Sequence, residues 1–205
     1  MNPLDLLSSC RVVPVVVIDD LETAVPLAET LLAAGLTAIE VTLRTTAGLA
    51  AIESIANAVP GMIVGAGSIR QISQIKAVAD SGAKFAVSPG STAALLDVAT
   101  NIGLPFIPGA ATPTETLVLF EQGYTLQKVF PAGIVGGPGY IKAVGSPIPE
   151  VRFMPTGGVK PENAAEYLAL DNVACIGGTW IAPTELLAER DFAAIGRLAS
   201  EASTY

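Results

Sequence analysis

Short β-branched runs alternate with longer Ala- and Leu-rich runs along the chain, and this alternation constrains the fold more than any other feature. Eight apolar runs predict strands at residues 12–18, 38–43, 62–66, 85–88, 105–108, 126–130, 152–155 and 173–177. The amphipathic runs that follow them predict helices at residues 21–34, 47–58, 71–81, 92–102, 114–122, 138–144, 161–169 and 183–200. Strands that alternate with helices form parallel βαβ units.

Glycine and proline stand where the ends of these helices are expected. A glycine follows four of them, at Gly35, Gly82, Gly103 and Gly123, where a left-handed cap is favoured. Pro113 and Pro161 stand at expected first helical positions. Eight units without a linker or a break in composition therefore predict a single α/β domain over residues 1–205, folded as a (β/α)8 TIM barrel. The alternative is an open, doubly wound sheet.

Composition narrows the chemistry. The chain has no histidine, which excludes a His-based triad, histidine metal ligands and a histidine general base. The formal net charge of −8 and the lack of a basic run argue against nucleic acid or an anionic membrane as partner. Cys10 and Cys175 have no metal-like or redox spacing, and we expect Cys175 in the core.

The ends and the surface of the chain add three expectations. Its first residues lack the basic start and long apolar stretch of a signal peptide. Its apolar runs are shorter than a membrane span, so we expect a cytoplasmic protein. Charged residues make up only 15% of the chain, which is little for the surface of a monomer, so part of that surface is expected to be buried in an oligomer.

Lys128 is the most informative single residue, because it lies in the apolar run Leu-Gln-Lys-Val-Phe of a predicted strand. Burial penalises the charged form of lysine, and the neutral amine that relieves this penalty is a nucleophile towards carbonyl carbons. The pattern therefore indicates Schiff-base chemistry. The alternative is a lysine at a sheet edge, or one whose ammonium reaches water at the end of its long side chain.

The second predicted strand places Glu40, Thr42 and Arg44 on one face, with Arg44 near the strand's carboxyl end. Catalytic groups of a barrel gather at that end. If Lys128 also points inward, it can contact Glu40 across the narrow interior. The alternative is a structural ion pair between Glu40 and Arg44.

Gly-Gly pairs follow the seventh and eighth strands, at residues 157–158 and 177–178, and Thr179 and Trp180 come next. Glycine lets backbone N–H groups approach an anion, and these two loops are a common phosphate position in barrels. The matched pairs predict a phosphate cradle, although each pair alone is more often a tight turn. The glycine-rich segment 65–68 is expected to allow a close approach to the backbone at the mouth of the barrel and is not interpreted as a dinucleotide site. The loops at residues 88–90 and 108–109 are expected to shape the pocket, although each alone is at least as often a simple turn.

Read in order, these residues resemble the 2-keto-3-deoxy-6-phosphogluconate (KDPG) aldolase family, which includes 4-hydroxy-2-oxoglutarate aldolases. The stretches that carry the resemblance are Val-Pro-Val-Val at 13–16, Glu-Val-Thr-Leu-Arg-Thr at 40–45, Gly-Ala-Gly-Ser at 65–68, Ser-Pro-Gly at 88–90, Ile-Pro-Gly at 107–109, Lys-Val-Phe-Pro-Ala at 128–132, Pro-Thr-Gly-Gly at 155–158 and Ile-Gly-Gly-Thr-Trp at 176–180. They cover nearly the whole chain, and the set is highly specific although each stretch alone is not.

The resemblance implies a class I (Schiff-base) aldolase, a homotrimeric lyase that cleaves KDPG to pyruvate and glyceraldehyde 3-phosphate without a metal or organic cofactor. It implies that Lys128 forms the Schiff base, Glu40 is the general acid and base, and Arg44 holds the substrate carboxylate. The remaining implied residues are those of the pyruvate pocket, Ser68, Pro89 and Phe130, and those of the phosphate site, Gly157, Gly158, Gly178 and Thr179.

Two alternatives share this chemistry: an aldolase for 4-hydroxy-2-oxoglutarate, and one for the galactose-series acid, 2-keto-3-deoxy-6-phosphogalactonate (KDPGal). A phosphate-binding barrel isomerase and a non-catalytic binding barrel are more distant alternatives.

Five positions depart from common family patterns. Ser68 and Thr179 each exchange one hydroxyl residue for another, and Gly133 stands where several relatives have glutamate. Asp19 and Asp20 occupy the mouth of strand one, where some relatives have a basic residue.

Overall fold

The computed structural model describes residues 2–205, which contain nine strands and ten α-helices. The strands are β1 Val12–Val16, β2 Ala38–Thr42, β3 Ile63–Gly67, β4 Phe85–Val87, β5 Phe106–Ile107, β6 Gly109–Ala110, β7 Leu126–Val129, β8 Arg152–Pro155 and β9 Ile176–Gly178. The helices are α1 Pro3–Leu6, α2 Ala24–Ala33, α3 Gly48–Ala58, α4 Ile72–Asp80, α5 Ala93–Ile102, α6 Pro113–Glu121, α7 Gly137–Gly145, α8 Pro161–Leu168, α9 Thr184–Ala188 and α10 Phe192–Ala202.

The strands form two parallel ladders. One has six strands in the order β5-β4-β3-β2-β1-β9, and the other has three in the order β6-β7-β8. Single bridges join Phe153 to Val173 and Thr156 to Gly177, between the β8 and β9 segments. Because the first strand pairs with both the second and the last, the sheet curls instead of reversing its strand order as a doubly wound sheet does. The fold is therefore α/β and TIM-barrel-like.

The predicted fifth strand is divided in the structure. Pro108 separates β5 from β6, because proline has no N–H to give to a ladder. The chain changes partner there, from β4 before the proline to β7 after it. The Pro108 carbonyl still accepts from the N–H of Lys128 at 2.8 Å, so the strand that carries the lysine is held directly at the break.

Two helical features also differ from the prediction. The helix predicted over residues 183–200 is divided into α9 and α10, because Arg190 adopts a left-handed backbone with φ of 55°. Asp191 then caps α10, its Oδ1 accepting from the N–H of Ala194 at 2.9 Å. The short helix α1 was not predicted, since four residues are too few for a periodic pattern to indicate a helix.

Apolar side chains form two clusters, one on each face of the curled sheet. The outer cluster joins strand residues such as Ile39 and Val41 to helix residues such as Leu27 and Ile52. The inner cluster consists of Leu7, Cys10, Val13, Ala38, Phe85, Val87, Ile107, Leu126, Met154 and Cys175. Leu4 and Leu6 of α1 pack against it, so this helix covers the amino ends of the strands. The predicted core position of Cys175 is confirmed.

The predicted helix ends are confirmed. Gly35, Gly82, Gly103 and Gly123 all have left-handed backbones, with φ between 74° and 93°. Pro113 and Pro161 begin α6 and α8. Among the helices of residues 2–205, none combines the length and the apolar character that crossing a bilayer requires.

Candidate active site

A buried ion pair lies between β2 and β7, on the inner face of the sheet. Nζ of Lys128 donates to Oε1 of Glu40 at 3.1 Å, and the two residues are 5% and 0% exposed. The predicted contact across the interior is confirmed, and Lys128 is not a surface lysine. Leu126 and Ala38, two residues earlier on the same strands, belong to the inner cluster, so the pair stands directly above that apolar floor.

Glu40 retains one oxygen without a partner. Its Oε2 is buried and makes no hydrogen bond within residues 2–205. Each ion of a buried pair loses several kcal/mol of hydration, which the mutual attraction offsets only when the geometry is good and the remaining polar atoms are bonded. An unbonded carboxylate oxygen in this setting can accept a proton or a hydrogen bond from a bound molecule.

Gly67 of β3 provides the space that the Glu40 carboxylate occupies. A Cβ added to Gly67 would overlap Oε1 of Glu40 and lie 2.7 Å from its Cγ. A Cβ added to Gly65 would overlap the Phe85 ring in the same way. Both glycines thus face the interior and leave room for a neighbour's side chain. The close backbone approach predicted for this glycine-rich segment is confirmed, and the group that approaches at Gly67 is the carboxylate itself.

Phe130 packs beside the lysine at the end of β7. Its ring centroid lies 5.6 Å from Nζ of Lys128, within the range of a cation–π contact. A Cβ added to Gly157 would lie 3.1 Å from the same ring. The half-buried ring therefore contacts both the lysine and the glycine turn that follows β8.

Arg44 and Ser68 lie at the open end of the site. Nε of Arg44 donates to Oγ of Ser68 at 3.3 Å, and the guanidinium is exposed. No ion pair joins Arg44 to Glu40 within residues 2–205, so the alternative of a structural Glu–Arg pair is wrong. A guanidinium in this position can bind a carboxylate through two parallel hydrogen bonds.

Pro89 is fixed beside the lysine strand by the packing of β6. A Cβ added to Gly109 would overlap the Pro89 carbonyl. The N–H of Gly109 donates to Oγ of Ser88 at 3.4 Å, and Oγ of Ser91 donates to the Gly109 carbonyl at 3.1 Å. Gly109 lies opposite Lys128 in the ladder, so these contacts hold the loop after β4 next to the strand that carries the lysine.

Gly157 and Gly158 form a left-handed turn after β8, with φ of 86° and 81°. The segment after β7 supports this turn. The N–H of Ala132 donates to the Thr156 carbonyl and that of Gly133 to the Gly157 carbonyl, both at 2.8 Å. A side chain at Gly133 would meet Gly158 at 3.2 Å, so the glycine that departs from the family pattern lets the two segments pack closely.

The second glycine pair ends β9 near this turn. Gly178 is buried under the Trp180 ring, because a Cβ added there would lie 2.6 Å from it. Thr179 is exposed, and its N–H, like that of Gly158, donates to no acceptor within residues 2–205. Two neighbouring segments therefore offer backbone donors at the same end of the sheet, as the predicted cradle requires.

Thr156 is a candidate site residue that the motifs did not single out. It follows Met154 of the inner cluster by two residues and so shares its inward face. It is 3% exposed, and its Oγ1 has no hydrogen-bond partner within residues 2–205. Gly177 makes room for this hydroxyl, since a Cβ there would overlap it. The inward period of β8 was the signal that could have identified Thr156.

Other reactive groups lie apart from this site. Cys10 and Cys175 are both free, and burial, the largest cause, raises the pKa of the Cys175 thiol to about 12. A cavity of about 390 Å³ lined by Pro3, Gly103 and Tyr124 lies at the amino ends of the strands, opposite the Lys128 end. Within residues 2–205, no group of three or more Cys, Asp and Glu side chains is arranged to hold a metal ion.

A curled parallel sheet with a buried amine and a carboxylate on its inner face is typical of enzymes that form covalent adducts with carbonyl substrates. Comparison with known proteins agrees. The chain matches the KDPG and KHG aldolase family model over residues 5–198. It is 46% identical over 198 residues to a 2-dehydro-3-deoxy-phosphogluconate aldolase of Pseudoalteromonas atlantica, covering 97% of this chain and 92% of the relative. It is 45% identical over 197 residues to a KHG/KDPG aldolase of Escherichia coli, covering 96% and 92%.

Solved structures give the same result. The crystal structure of KDPG aldolase from Legionella pneumophila, with pyruvate captured as a covalent carbinolamine, has a TM-score of 0.95 and 40% identity, covering 98% of this chain and 97% of that one. A native KDPGal structure has a TM-score of 0.80 and 26% identity, covering 95% and 96%. The chain belongs to the KDPG and KHG aldolase family, so the resemblance predicted from its motifs is confirmed.

Proposed function

We propose that this chain is a class I aldolase that cleaves KDPG to pyruvate and glyceraldehyde 3-phosphate. The observation that carries the proposal is the buried contact of Lys128 Nζ with Glu40 Oε1 at 3.1 Å. It pairs an amine nucleophile with a group that can take and return protons. The relatives' names support the substrate. The carbinolamine in the Legionella pneumophila structure is an adduct of pyruvate with an amine, which supports the chemistry.

Bond formation begins with the neutral amine. Glu40 takes a proton from Nζ of Lys128, and the nitrogen lone pair attacks the C2 ketone to give a carbinolamine. Glu40 returns the proton to the C2 hydroxyl, which leaves as water, and a protonated imine remains. The buried position of both groups keeps bulk water from competing for these protons.

Cleavage uses the protonated imine as the electron sink. Glu40, through a bound water, removes the proton of the C4 hydroxyl. The C3–C4 bond breaks, C4 becomes the aldehyde carbon of glyceraldehyde 3-phosphate, and the electron pair forms the C2–C3 double bond of an enamine. Protonation of C3 and hydrolysis of the imine release pyruvate and restore the amine. These steps use only side chains and water, so the proposed mechanism needs no metal or organic cofactor.

The remaining candidate residues divide the substrate between them. Arg44, next to Ser68, is proposed to hold the C1 carboxylate, while Pro89 and Phe130 line the pyruvate end. The Gly157–Gly158 turn and the Gly178–Thr179 turn are proposed to bind the distal phosphate through backbone N–H groups and the threonine hydroxyl.

Borohydride reduction in the presence of pyruvate tests the proposal. We expect a stable adduct on Lys128, seen as a mass increase on the peptide that contains it, and no adduct in Lys128→Ala. A wild-type protein that gains no mass, or a variant that gains as much as the wild type, contradicts the lysine assignment. Proton exchange on a sugar phosphate without a trapped imine would favour the isomerase alternative.

A second candidate substrate is 4-hydroxy-2-oxoglutarate, which yields pyruvate and glyoxylate. The observation that favours it is the 45% identity to the KHG/KDPG aldolase of Escherichia coli. Rates of pyruvate release from KDPG, KDPGal and 4-hydroxy-2-oxoglutarate separate the three activities. We expect the highest kcat/KM for KDPG, because two segments with free backbone donors face the distal end.

We also propose that residues 1–205 form one domain whose ladders close into a complete eight-stranded barrel, and that this domain works as a cytoplasmic homotrimer. The pairing of β1 with both β2 and β9 supports closure. The low share of charged residues, 15%, together with several exposed apolar side chains, of which Ile134 is 85% exposed, supports burial of part of the surface in an oligomer. Sedimentation equilibrium measures the oligomer directly, and a monomer at micromolar concentration contradicts the trimer.

A further inference from the structure

Arg190 has an unusual conformation for a residue with a side chain. It lies in the turn between α9 and α10 with φ of 55°. This left-handed region favours glycine, because a Cβ crowds the neighbouring carbonyl. The turn would form more easily with glycine, so the reason for an arginine must lie in its side chain.

The side chain binds two carboxylates of the segment that follows β1. Nη2 of Arg190 donates to Oδ2 of Asp20 at 2.6 Å and to Oε2 of Glu22 at 2.7 Å. The other oxygen of Asp20 accepts from the N–H of Glu22 at 3.0 Å. The hydrogen bond from Arg190 holds the pKa of the Asp20 carboxyl below its usual range. We call Asp19, Asp20 and Glu22 the acidic rim.

The acidic rim lies at the same end of the sheet as the proposed phosphate site. β1 and β9 pair in parallel with Pro14 opposite Gly178, so the chain leaves both strands side by side at their carboxyl ends. Ile18 and Ile181 on the two departing segments are both fully buried in the outer cluster. The rim therefore lies on the segment next to the one that carries the Gly178–Thr179 turn, at the same end of the sheet.

Uncompensated carboxylates at this end of the sheet would oppose an anionic ligand. The chain already carries a formal net charge of −8, and the acidic rim has three carboxyl groups within residues 19–22. A unit charge about 10 Å from a dianion in water changes the binding constant by about fourfold. Arg190 places a cation in contact with two of the three.

We infer that Arg190 is a specificity-determining residue, whose guanidinium compensates the acidic rim and thereby allows an anionic group of the phosphate class to bind at the Gly178–Thr179 turn. The inference rests on the proposed function for the place of the distal group. It accounts for two departures together: acidic residues where some relatives have a basic one, and an arginine where the backbone favours glycine.

Arg190→Gly is the variant that tests this role, since glycine suits the left-handed turn and the substitution removes the guanidinium together with its hydrogen bonds to Asp20 and Glu22. Trp180, the single tryptophan of the chain, packs on Gly178, so its fluorescence reports ligand binding without catalysis. Titrations use inorganic phosphate and, separately, glyceraldehyde 3-phosphate. We expect the Kd to rise about fourfold at low ionic strength, and the difference to shrink in about 0.5 M salt, where charges are screened.

Three further variants separate charge from structure. Arg190→Lys keeps the cation and should bind phosphate nearly as the wild type does. Combining Arg190→Gly with Asp20→Asn and Glu22→Gln breaks every contact but removes the carboxylates too, so affinity should recover. Lys76→Gln is the matched control, because it removes one cation from an exposed ion pair with Asp80 on α4 and should leave the Kd unchanged.

Kinetics on the same proteins give an independent readout. Arg190→Gly should raise KM for KDPG without changing kcat, and should not affect cleavage of the unphosphorylated 2-keto-3-deoxygluconate. Equal Kd values for wild type and Arg190→Gly, or no saturable fluorescence change with either ligand, would overturn the inference, as would a triple variant that binds as weakly as Arg190→Gly. Failure of the wild type to form a pyruvate imine would instead overturn the proposed function, and the phosphate titrations would still decide the role of Arg190.

Discussion

The chain joins a basic side chain to carboxylates in two contrasting places. Lys128 and Glu40 meet in the interior, where their side chains are 6% and 0% exposed. Arg190 meets Asp20 and Glu22 at the surface, where all three side chains are at least half exposed. Inside, desolvation makes each charge depend on the other. At the surface, water screens the attraction between Arg190 and its carboxylates. The pair then acts mainly through the charge that it places there and by holding the turn between α9 and α10.

The contrast teaches that the length of an ion pair does not show its role, because the interior contact measures 3.1 Å and the surface contacts 2.6 and 2.7 Å. The interior pair is costly to build, and the proposed function accounts for it, because imine formation needs an amine and a proton acceptor away from water. The surface pair contributes little to stability, and is explained by what lies beside it. Variants of the interior pair should therefore lose activity and stability, and variants of the surface pair should mainly lose ligand affinity.

Lys128→Met should have the largest effect. Without the amine no imine forms, so pyruvate release should fall by more than about 10³-fold. The unpaired Glu40 should cost about 3–5 kcal/mol of unfolding free energy, measured by urea denaturation at pH 7. Adding Glu40→Gln removes the orphaned charge, so the double variant should regain stability while remaining inactive. Equal stability of single and double variants would contradict the contrast between the two pairs.

Gly67→Ala should come next, because the added Cβ overlaps the carboxylate that accepts from Lys128. Displacing a general acid and base should lower kcat by about 10²-fold, and pyruvate should still be trapped on Lys128, although more slowly. Gly139→Ala on α7 is the matched control, since a Cβ there meets nothing within 4 Å. An active Gly67→Ala enzyme would show that Glu40 does not need its observed position.

Thr156→Val should lower activity less than the preceding variants do, and it should not lower the unfolding free energy. Its Oγ1 is buried without a partner, so valine should leave the protein as stable or more so. If the hydroxyl binds substrate, kcat/KM for KDPG should fall about tenfold. Thr42→Val is the control, because Thr42 donates to the Val16 carbonyl at 2.9 Å and its loss should cost about 1 kcal/mol. A less stable Thr156→Val enzyme with unchanged kcat/KM would assign the hydroxyl a structural role.

The sequence predicted the interior pair better than the surface one. Lys128 and Glu40 could be placed because an inward strand position is a local property with a period of two. The role of Gly67 could not be predicted, since it depends on how β3 is registered against β2, which no single strand reveals. The break at Pro108 had a local signal, the missing N–H, but the two short strands around it read as one apolar run.

Arg190 shows the other limit. The helical period runs through residues 183–200, and nothing local indicates a left-handed residue within it. Its partners, Asp20 and Glu22, lie about 170 residues earlier in the chain. A turn stabilised by such a distant contact becomes visible only when the first and last strands are known to be neighbours.

Lys76→Gln should have the smallest effect on stability and activity, and it shows how much an exposed ion pair of this protein contributes by itself. Lys76 and Asp80 form an i,i+4 pair at 2.6 Å on α4, with side chains 71% and 64% exposed. The Lys76–Asp80 distance equals the 2.6 Å of the Arg190–Asp20 contact, yet α4 carries none of the proposed substrate-binding residues. We expect a change in unfolding free energy below about 0.5 kcal/mol and unchanged kcat/KM. A larger loss by urea denaturation would mean that exposed pairs in this protein contribute to stability, and that Arg190 could act through the fold instead of through its charge.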